Sequence, residues 1–525
     1  MIGSFRQSMT WLHTWAGLVF CWLLYFVFVT GTLGYFDTEI DHWMKPELAS
    51  LDKAPIDTRI DTAMSHLEAN AQGANRWFIS FGETREEPYL RVFWQTPGET
   101  EDDPPENTNV TLDALSGEPL DDVARDTGGG QLLYRMHYVL HYIDSQIAFR
   151  FVGILTLFMF VGMITGIIAH KKIFKDFFTF RVKKGQRSWL DMHNLLSVTS
   201  LPFQLMIIYS GLLFVTILWM PLIAVGSVGF DTKKAGELLD LGGEKIEAAG
   251  TPAELTDVRA VLAHAEATWG EGSVERLNIY NPGDANARIE VSPATGIGLL
   301  PETHVYDGTT GELIDSPTLP SSGALSFAST MLGLHEGLFA GITLRWLYFL
   351  SGVLGTAMIA TGAILWTSKR RKKAADEQQS RGFHFVEIMN IGTIMGVLIG
   401  VAAFFWANRL LPVSLESRAD WEAHAMFIAW GLCLIYPLFR SRRAAWRDLT
   451  WLTAFAFAAL PILNAATTNA GLLTSIGKGD WTMAGFDLTA LGTGVVFAIA
   501  GLYLTKRGVT REVPSEQAAM EVAAS

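Results

Sequence analysis

Eight apolar stretches of bilayer length run through the chain, at about residues 14–36, 147–169, 194–225, 343–366, 385–407, 422–439, 449–467 and 484–504. A membrane core takes about 20 apolar residues in a helix, and in lipid only helices and closed barrels satisfy their own backbone polar groups. The pattern therefore predicts a polytopic α-helical membrane protein. Composition agrees: only 18% of the 525 residues are charged, against about 25% in an ordinary soluble chain. The first stretch follows a weakly basic head containing Arg6. It is too long for a signal-peptide core and no small-residue cleavage site follows it, so it reads as a retained anchor. High apolar content and a formal net charge of −13 exclude disorder and nucleic-acid binding. The only cysteines, Cys21 and Cys433, lie in apolar runs. They exclude a disulfide framework, an iron–sulfur cluster and covalent haem attachment.

Basic residues orient the spans. Lys171, Lys172, Lys175, Arg181, Lys183, Lys184 and Arg187 lie between the second and third, and Lys369-Arg-Arg-Lys-Lys373 follows the fourth. Arg440, Arg442, Arg443 and Arg447 follow the sixth, and Lys506 and Arg507 the eighth. These segments share one side with the N-terminus, the cytoplasmic side. The expected organisation is a first span at 1–36, an external module at 37–146, a second span at 147–170 and a basic loop at 171–192. A third span at 193–225, a second external module at 226–342, a fourth span at 343–367 and a basic loop at 368–384 follow. A four-span extension at 385–507 and a cytoplasmic tail at 508–525 complete the chain. The two modules fall in the periplasm of an inner-membrane protein.

The chain carries an internal duplication. Residues 110–121 align without a gap on 304–315, superposing Asp113, Gly117, Glu118 and Asp121 on Asp307, Gly311, Glu312 and Asp315. Apolar alternation around an Asp/Gly turn predicts a β-hairpin in each. Helical stretches at about 58–70 and 253–267, and strand-like runs at 89–94 and 276–280, make each module α+β. The spans repeat as well. His13 precedes Thr30-Gly31 as His193 precedes Ser210-Gly211, and His141, Arg150 and Thr165-Gly166 match His335, Arg345 and Thr361-Gly362. Residues 1–170 and 187–367 are thus two copies of span, module, span.

Six of the twelve histidines fall at the ends of the first four spans: His13, His170 and His193 at the cytoplasmic ends, His137, His141 and His335 at the outer ends. Ionisable side chains at such depth are costly and mark function. Opposed imidazoles inside a helical bundle are what bis-histidine haem requires. The repeat pairs His13 with His193 at the inner face. It pairs His335 with His141 or His137 at the outer face; these two are four residues apart on one helical face, and the alignment leans to His141. His170 is a spare, an alternative inner ligand or part of a third haem. Arg150 and Arg345 are candidates for haem propionates. Zinc would need closely converging ligands such as HExxH, which the chain lacks. His42, His66, His264 and His304 read as ordinary surface residues, and His384 and His424 as span-end residues at opposite faces. Gly128-Gly-Gly130 lacks the strand and helix context of a nucleotide-binding loop.

Trp11-Leu-His13…Thr30-Gly31, Met136-His137 or Leu140-His141, Asp191-Met-His193-Asn194 and Leu334-His335-Glu-Gly337…Thr361-Gly362 together resemble the PepSY-associated transmembrane family. The external modules resemble PepSY domains. The resemblance covers about residues 1–368; the extension departs from the minimal four-span form. It implies a duplicated haem-binding four-helix bundle with haem-ligand roles for His13, His193, His335 and one of His137 or His141. It further implies a di-haem ferric-siderophore reductase of the inner membrane. The expected activity is therefore a haem b oxidoreductase with about two haems, fed by quinol or a cytoplasmic reductase. Its acceptor is a ferric siderophore or another periplasmic electron acceptor. The alternatives are a non-enzymatic PepSY binding or regulatory protein, and a transporter built on the last four spans, for which Glu387 and Asn390 are the polar support. No residue carries a catalytic assignment.

Overall fold

The computed structural model describes residues 4–48, 54–82, 89–98, 103–120, 124–170, 172–177, 179–181, 184–219, 246–294, 296–299, 303–316, 323–376 and 381–523. The first half runs α1 (Phe5–Gly34), α2 (Asp37–Met44), α3 (Ile56–Asn70), β1 (Arg76–Ser80), β2 (Leu90–Thr96), β3 (Glu106–Leu112), α4 (Gly129–Tyr138), α5 (Ser145–Ala169) and α6 (Ile173–Phe177). Next come α7 (Gln186–Trp219), α8 (Val258–Trp269), β4 (Val274–Tyr280), β5 (Arg288–Pro293), β6 (His304–Asp307), β7 (Leu313–Asp315), α9 (Gly323–Glu336) and α10 (Ile342–Asp376). The C-terminal part holds α11 (Arg381–Leu410), α12 (Arg418–Ile435), α13 (Arg442–Ala458), α14 (Leu460–Thr467), α15 (Leu472–Lys478) and α16 (Trp481–Ala523). Two compact units result, each assembled from separated segments: a helical unit (Met1–Ala49, Asp126–Tyr209, Ile342–Ser525) and a sheet unit (Ser50–Arg125, Ser210–Gly341).

Among the described residues seven helices are long and apolar enough to cross a membrane: Phe5–Gly34, Ser145–Ala169, Gln186–Val215, Ile342–Arg371, Arg381–Leu410, Arg442–Thr467 and Trp481–Lys506. Eight were expected. The sixth stretch, 422–439, falls on α12, whose 18 residues open with Arg418, Asp420 and Glu422. Those charges shorten its apolar run below a span. The seventh is broken near Pro461, which cannot continue the hydrogen-bond ladder of α13 into α14. Residues 220–225 of the third stretch lie outside the described residues.

Within the helical unit α1 packs on α4, α5, α10 and α11. Its core is apolar, with Phe26, Trp43, Leu133, Met136, Leu155, Phe404 and Met426 all buried. Asp144 caps α5, accepting from the Gln146 and Ile147 amides at 3.0 and 3.1 Å, which satisfies two of the orphan donors of a helix start.

Among the described residues the sheet unit contains one antiparallel sheet of seven strands in the order β3-β2-β1-β4-β5-β6-β7. Two separate modules were expected. Instead β1 pairs with β4, Phe78 facing Asn278 at the centre of the seam, so strands from both repeats form one sheet. Alternation is strict on its covered face: Ile79, Val92, Leu112, Leu277, Ile279, Ile289, Val291 and Tyr306 pack with residues of α3 and α8. The repeated turns share their backbone hydrogen bonds, and Asp307 adds a bond from the Thr309 hydroxyl and an ion pair with Arg288. The Asp113 amide donates to Glu118 O and the Asp307 amide to Glu312 O, both at 2.9 Å. Asp113 Oδ1 accepts from the Leu115 and Ser116 amides, and Asp307 Oδ1 from those of Thr309 and Thr310. Gly117 and Gly311 both take φ +74°, which a side chain would strain. His304, expected at the surface, is buried instead; it and His264 bond the Tyr306 hydroxyl at 3.2 and 3.0 Å.

Candidate cofactor site

His13 on α1 and His193 on α7 face each other inside the helical unit, their ring centres 6.3 Å apart and their planes at 56°. Each ring is pinned in the same way. His13 Nδ1 donates to Gly162 O at 2.8 Å, and His193 Nδ1 to Met358 O at 2.9 Å. Those carbonyls lie three residues before Thr165-Gly166 and Thr361-Gly362. Each threonine hydroxyl bonds the same carbonyl, at 3.1 and 3.0 Å. Each glycine makes room for the ring: a Cβ at Gly166 would stand 3.0 Å from His13 Cε1, and one at Gly362 3.1 Å from His193 Cε1. A carbonyl can only accept, so both Nδ1 atoms carry a proton, and the Nε2 atoms are the ring nitrogens left for a metal.

The pair borders a cavity of about 410 Å³. Its lining includes the apolar Leu24, Phe158, Leu201 and Ile208 and the polar Thr14, Ser197 and Gln204. His170, Arg6, Lys369 and Arg370 also line it, the basic groups coming from the ends of their helices. Arg6 Nε donates to Ala169 O at 2.9 Å, and the Arg370 guanidinium lies 3.9 Å over the Trp366 ring. Asn194 lies 3.4 Å from His170 Nε2. Gly17 and Gly162 line the same cavity, and a Cβ built on either meets no atom within 4 Å.

His137 repeats the arrangement. Its Nδ1 donates to Val27 O at 2.8 Å, three residues before Thr30-Gly31, and a Cβ at Gly31 would come within 2.4 Å of that nitrogen. Burial pushes its pKa below the usual imidazole value. In the sheet unit His335 Nδ1 is hydrogen-bonded to Ser210 Oγ at 2.9 Å, in Ser210-Gly211. Four histidines thus dock on four Thr/Ser-Gly pairs, each within its own repeat. His141, which the alignment favoured, does not: its ring stacks on Phe427 at 5.7 Å and 11°. The equivalent of His335 is His137.

Arg150 is exposed on α5. Arg345 is buried and ion-paired with Glu39, its guanidinium 5.2 Å over Phe36. Neither lines the cavity. The cations that do, Arg6, Lys369 and Arg370, were not singled out from the sequence, where they merge with the basic residues flanking every span. Among the described residues no three His, Cys, Asp or Glu side chains converge as a metal cage. His384 accepts from Arg442, and His424 Nδ1 meets the Tyr142 hydroxyl at 2.5 Å.

The model of the PepSY-associated TM region matches residues 10–369. The chain belongs to the PepSY-associated TM family. The matched range holds all four docked histidines and the whole sheet, while α11 to α16 lie beyond it. A search of curated proteins returns no match for this PepSY-associated chain.

Proposed function

We propose that the chain is a haem b oxidoreductase that carries electrons across the bacterial inner membrane to a periplasmic acceptor, a ferric siderophore. The His13–His193 pair carries this reading. Imidazole ligates a metal through a neutral nitrogen while its other nitrogen is held by a hydrogen bond, and Nδ1 of both rings is held in this way. An iron between two ring nitrogens at about 2 Å each puts the ring centres roughly 6 Å apart, and they are 6.3 Å apart. A helical glycine costs about 1 kcal/mol relative to alanine. Gly17 and Gly162 bear that cost beside a cavity where no chain atom needs the room, which supports a bulky occupant.

Bound there, haem supplies a reversible one-electron Fe(III)/Fe(II) couple. His13 and His193 would hold its iron, and Arg6, Lys369 and Arg370, which line the same cavity, would be the cations available to its propionates. The repeat extends the ligand role to His137 and His335, making two haems per chain. His170 lines the cavity without being needed as a ligand. The donor is quinol from the lipid or a cytoplasmic reductase. At the acceptor, reduction of Fe(III) weakens its hold on hard oxygen ligands and releases the metal. The transporter reading loses its polar support. Glu387 is ion-paired with Arg371 and Arg442 at 2.8 and 2.6 Å, and Asn390 is bonded to Trp22 Nε1 and Ala363 O at 2.9 and 3.0 Å.

Oxidised and dithionite-reduced spectra of the purified protein, with a haemochrome count, test the proposal. The expected result is a low-spin b-type spectrum with about two haems per chain, as two bis-histidine sites require, and loss of about half the pigment in His193→Ala. A colourless protein made with ample haem supply overturns it.

A further inference from the structure

The helices after residue 369 have no part in the reading above, yet three of their buried polar residues, Asn408, Arg418 and Glu422, converge on the start of the helix that bears His137. Glu422 Oε2, on α12, accepts from Thr127 Oγ1 at 2.6 Å and from the Gly128 amide at 3.2 Å. Asn408 Nδ2, on α11, donates to the same hydroxyl at 3.1 Å and to Glu422 Oε1 at 2.8 Å. Arg418 is ion-paired with Glu422 at 2.5 Å, both side chains fully buried, and donates to Asp126 O at 2.8 Å. From α2, Asp41 Oδ1 accepts from the Gly130 amide at 2.9 Å. The backbone is threaded so tightly that a Cβ at Gly129, where φ is +60°, would lie 1.7 Å from Asp41 Oδ1. One at Gly130 would lie 2.0 Å from Asp37 O. This accounts for the triple glycine, which fits no nucleotide-binding loop.

Burying a charge pair is expensive, and apolar residues of similar volume often hold helices together as well. Directed hydrogen bonds add what apolar packing cannot: they set the rotation and axial position of a short helix. α4 has ten residues and His137 is in its last turn. A small rotation at Gly128 would therefore carry the imidazole off Val27 O.

We infer that the C-terminal helices act as a clamp on α4, with Glu422 and Thr127 as positioning residues that hold His137 in register on Val27 O, the position from which it would serve as a haem ligand. This rests on the haem-ligand role of His137 proposed above, and the test separates the two. Thr127→Val and Glu422→Gln are compared with Thr127→Ser in the full-length protein. Redox potentiometry with low-temperature electron paramagnetic resonance reads each haem, and hydrogen exchange reads residues 129–138 against 258–269. The expected result is a moved midpoint and signal for one haem only and faster exchange in 129–138 only, both restored in Thr127→Ser. Unchanged haems with unchanged exchange, or equal changes in both haems and both segments, overturn the clamp. If the wild type binds no haem the oxidoreductase reading falls, and exchange alone decides whether α4 is clamped.

Discussion

Gly17 and Gly31 lie on the same helix in opposite surroundings. A methyl at Gly31 would collide with the His137 ring, whereas one at Gly17 meets only the cavity. Gly31→Ala should therefore break the His137–Val27 bond and destabilise the protein by about 1–3 kcal/mol, the usual cost of overpacking. Gly17→Leu should leave the haem-free fold intact, with about 1 kcal/mol gained in helix propensity, and yet bar the cofactor. Thermal unfolding without haem and pigment content after reconstitution measure the two effects; full pigment in Gly17→Leu would mean that the cavity is not the haem site. At this scale much was legible. The histidines stood out because imidazoles are rare at membrane depth, and the Thr/Ser-Gly pairs stood out because they repeat. What each histidine docks on was not legible, since the partner carbonyl sits on another helix: His13 precedes Thr30-Gly31 in sequence but bonds Gly162. The sequence could not separate His137 from His141 because two histidines one turn apart share a helical face. Only the fold shows that the ring of His141 is taken up by Phe427.

Helices and strands were easier to read than their associations. Amphipathic stretches near 58–70 and 253–267 became α3 and α8, and the hairpins formed where the Asp/Gly turns predicted them. The two turns also supply a matched test. Asp113 and Asp307 each satisfy two turn amides through Oδ1, so Asp113→Ala and Asp307→Ala should each cost about 1–2 kcal/mol. Exchange in 106–120 and in 303–316 should rise only in the variant that alters it; spread of both effects across the whole sheet would mean that the turns are not independent. The seam between β1 and β4 was not legible. Alternation tells which face of a strand is buried but says nothing about its neighbour, and here the neighbour is some 200 residues away. The span count missed by one for a local reason, since three charges in the first turns of α12 outweigh the apolar residues that follow.

Over the whole molecule, the extension belongs to the helical unit rather than standing apart. Trp22 and Tyr25 of α1 bond Asn390 and Ile394 O of α11, Phe26 stacks on Trp430, and Trp43 bonds Asp487 and lies 3.6 Å beneath the Arg409 guanidinium. A chain ended after residue 376 would bare all of these groups. It should be lost mostly to aggregation on size-exclusion chromatography in mild detergent; a monodisperse truncated protein would show the extension to be dispensable for folding. Length and hydropathy foretold the spans of the extension but not this role, because the residues that tie it to the first span are ordinary apolar and amide side chains until the helices meet. The duplication has a consequence of another kind. A single repeat would expose β1 as an open edge and offer one inner imidazole, so it could finish either structure only by meeting a second copy about a two-fold axis, an isologous association. Here both partners lie on one polypeptide. Joining halves covalently turns a bimolecular encounter into an intramolecular one, so neither the sheet nor the histidine pair comes apart on dilution, however few molecules the membrane holds.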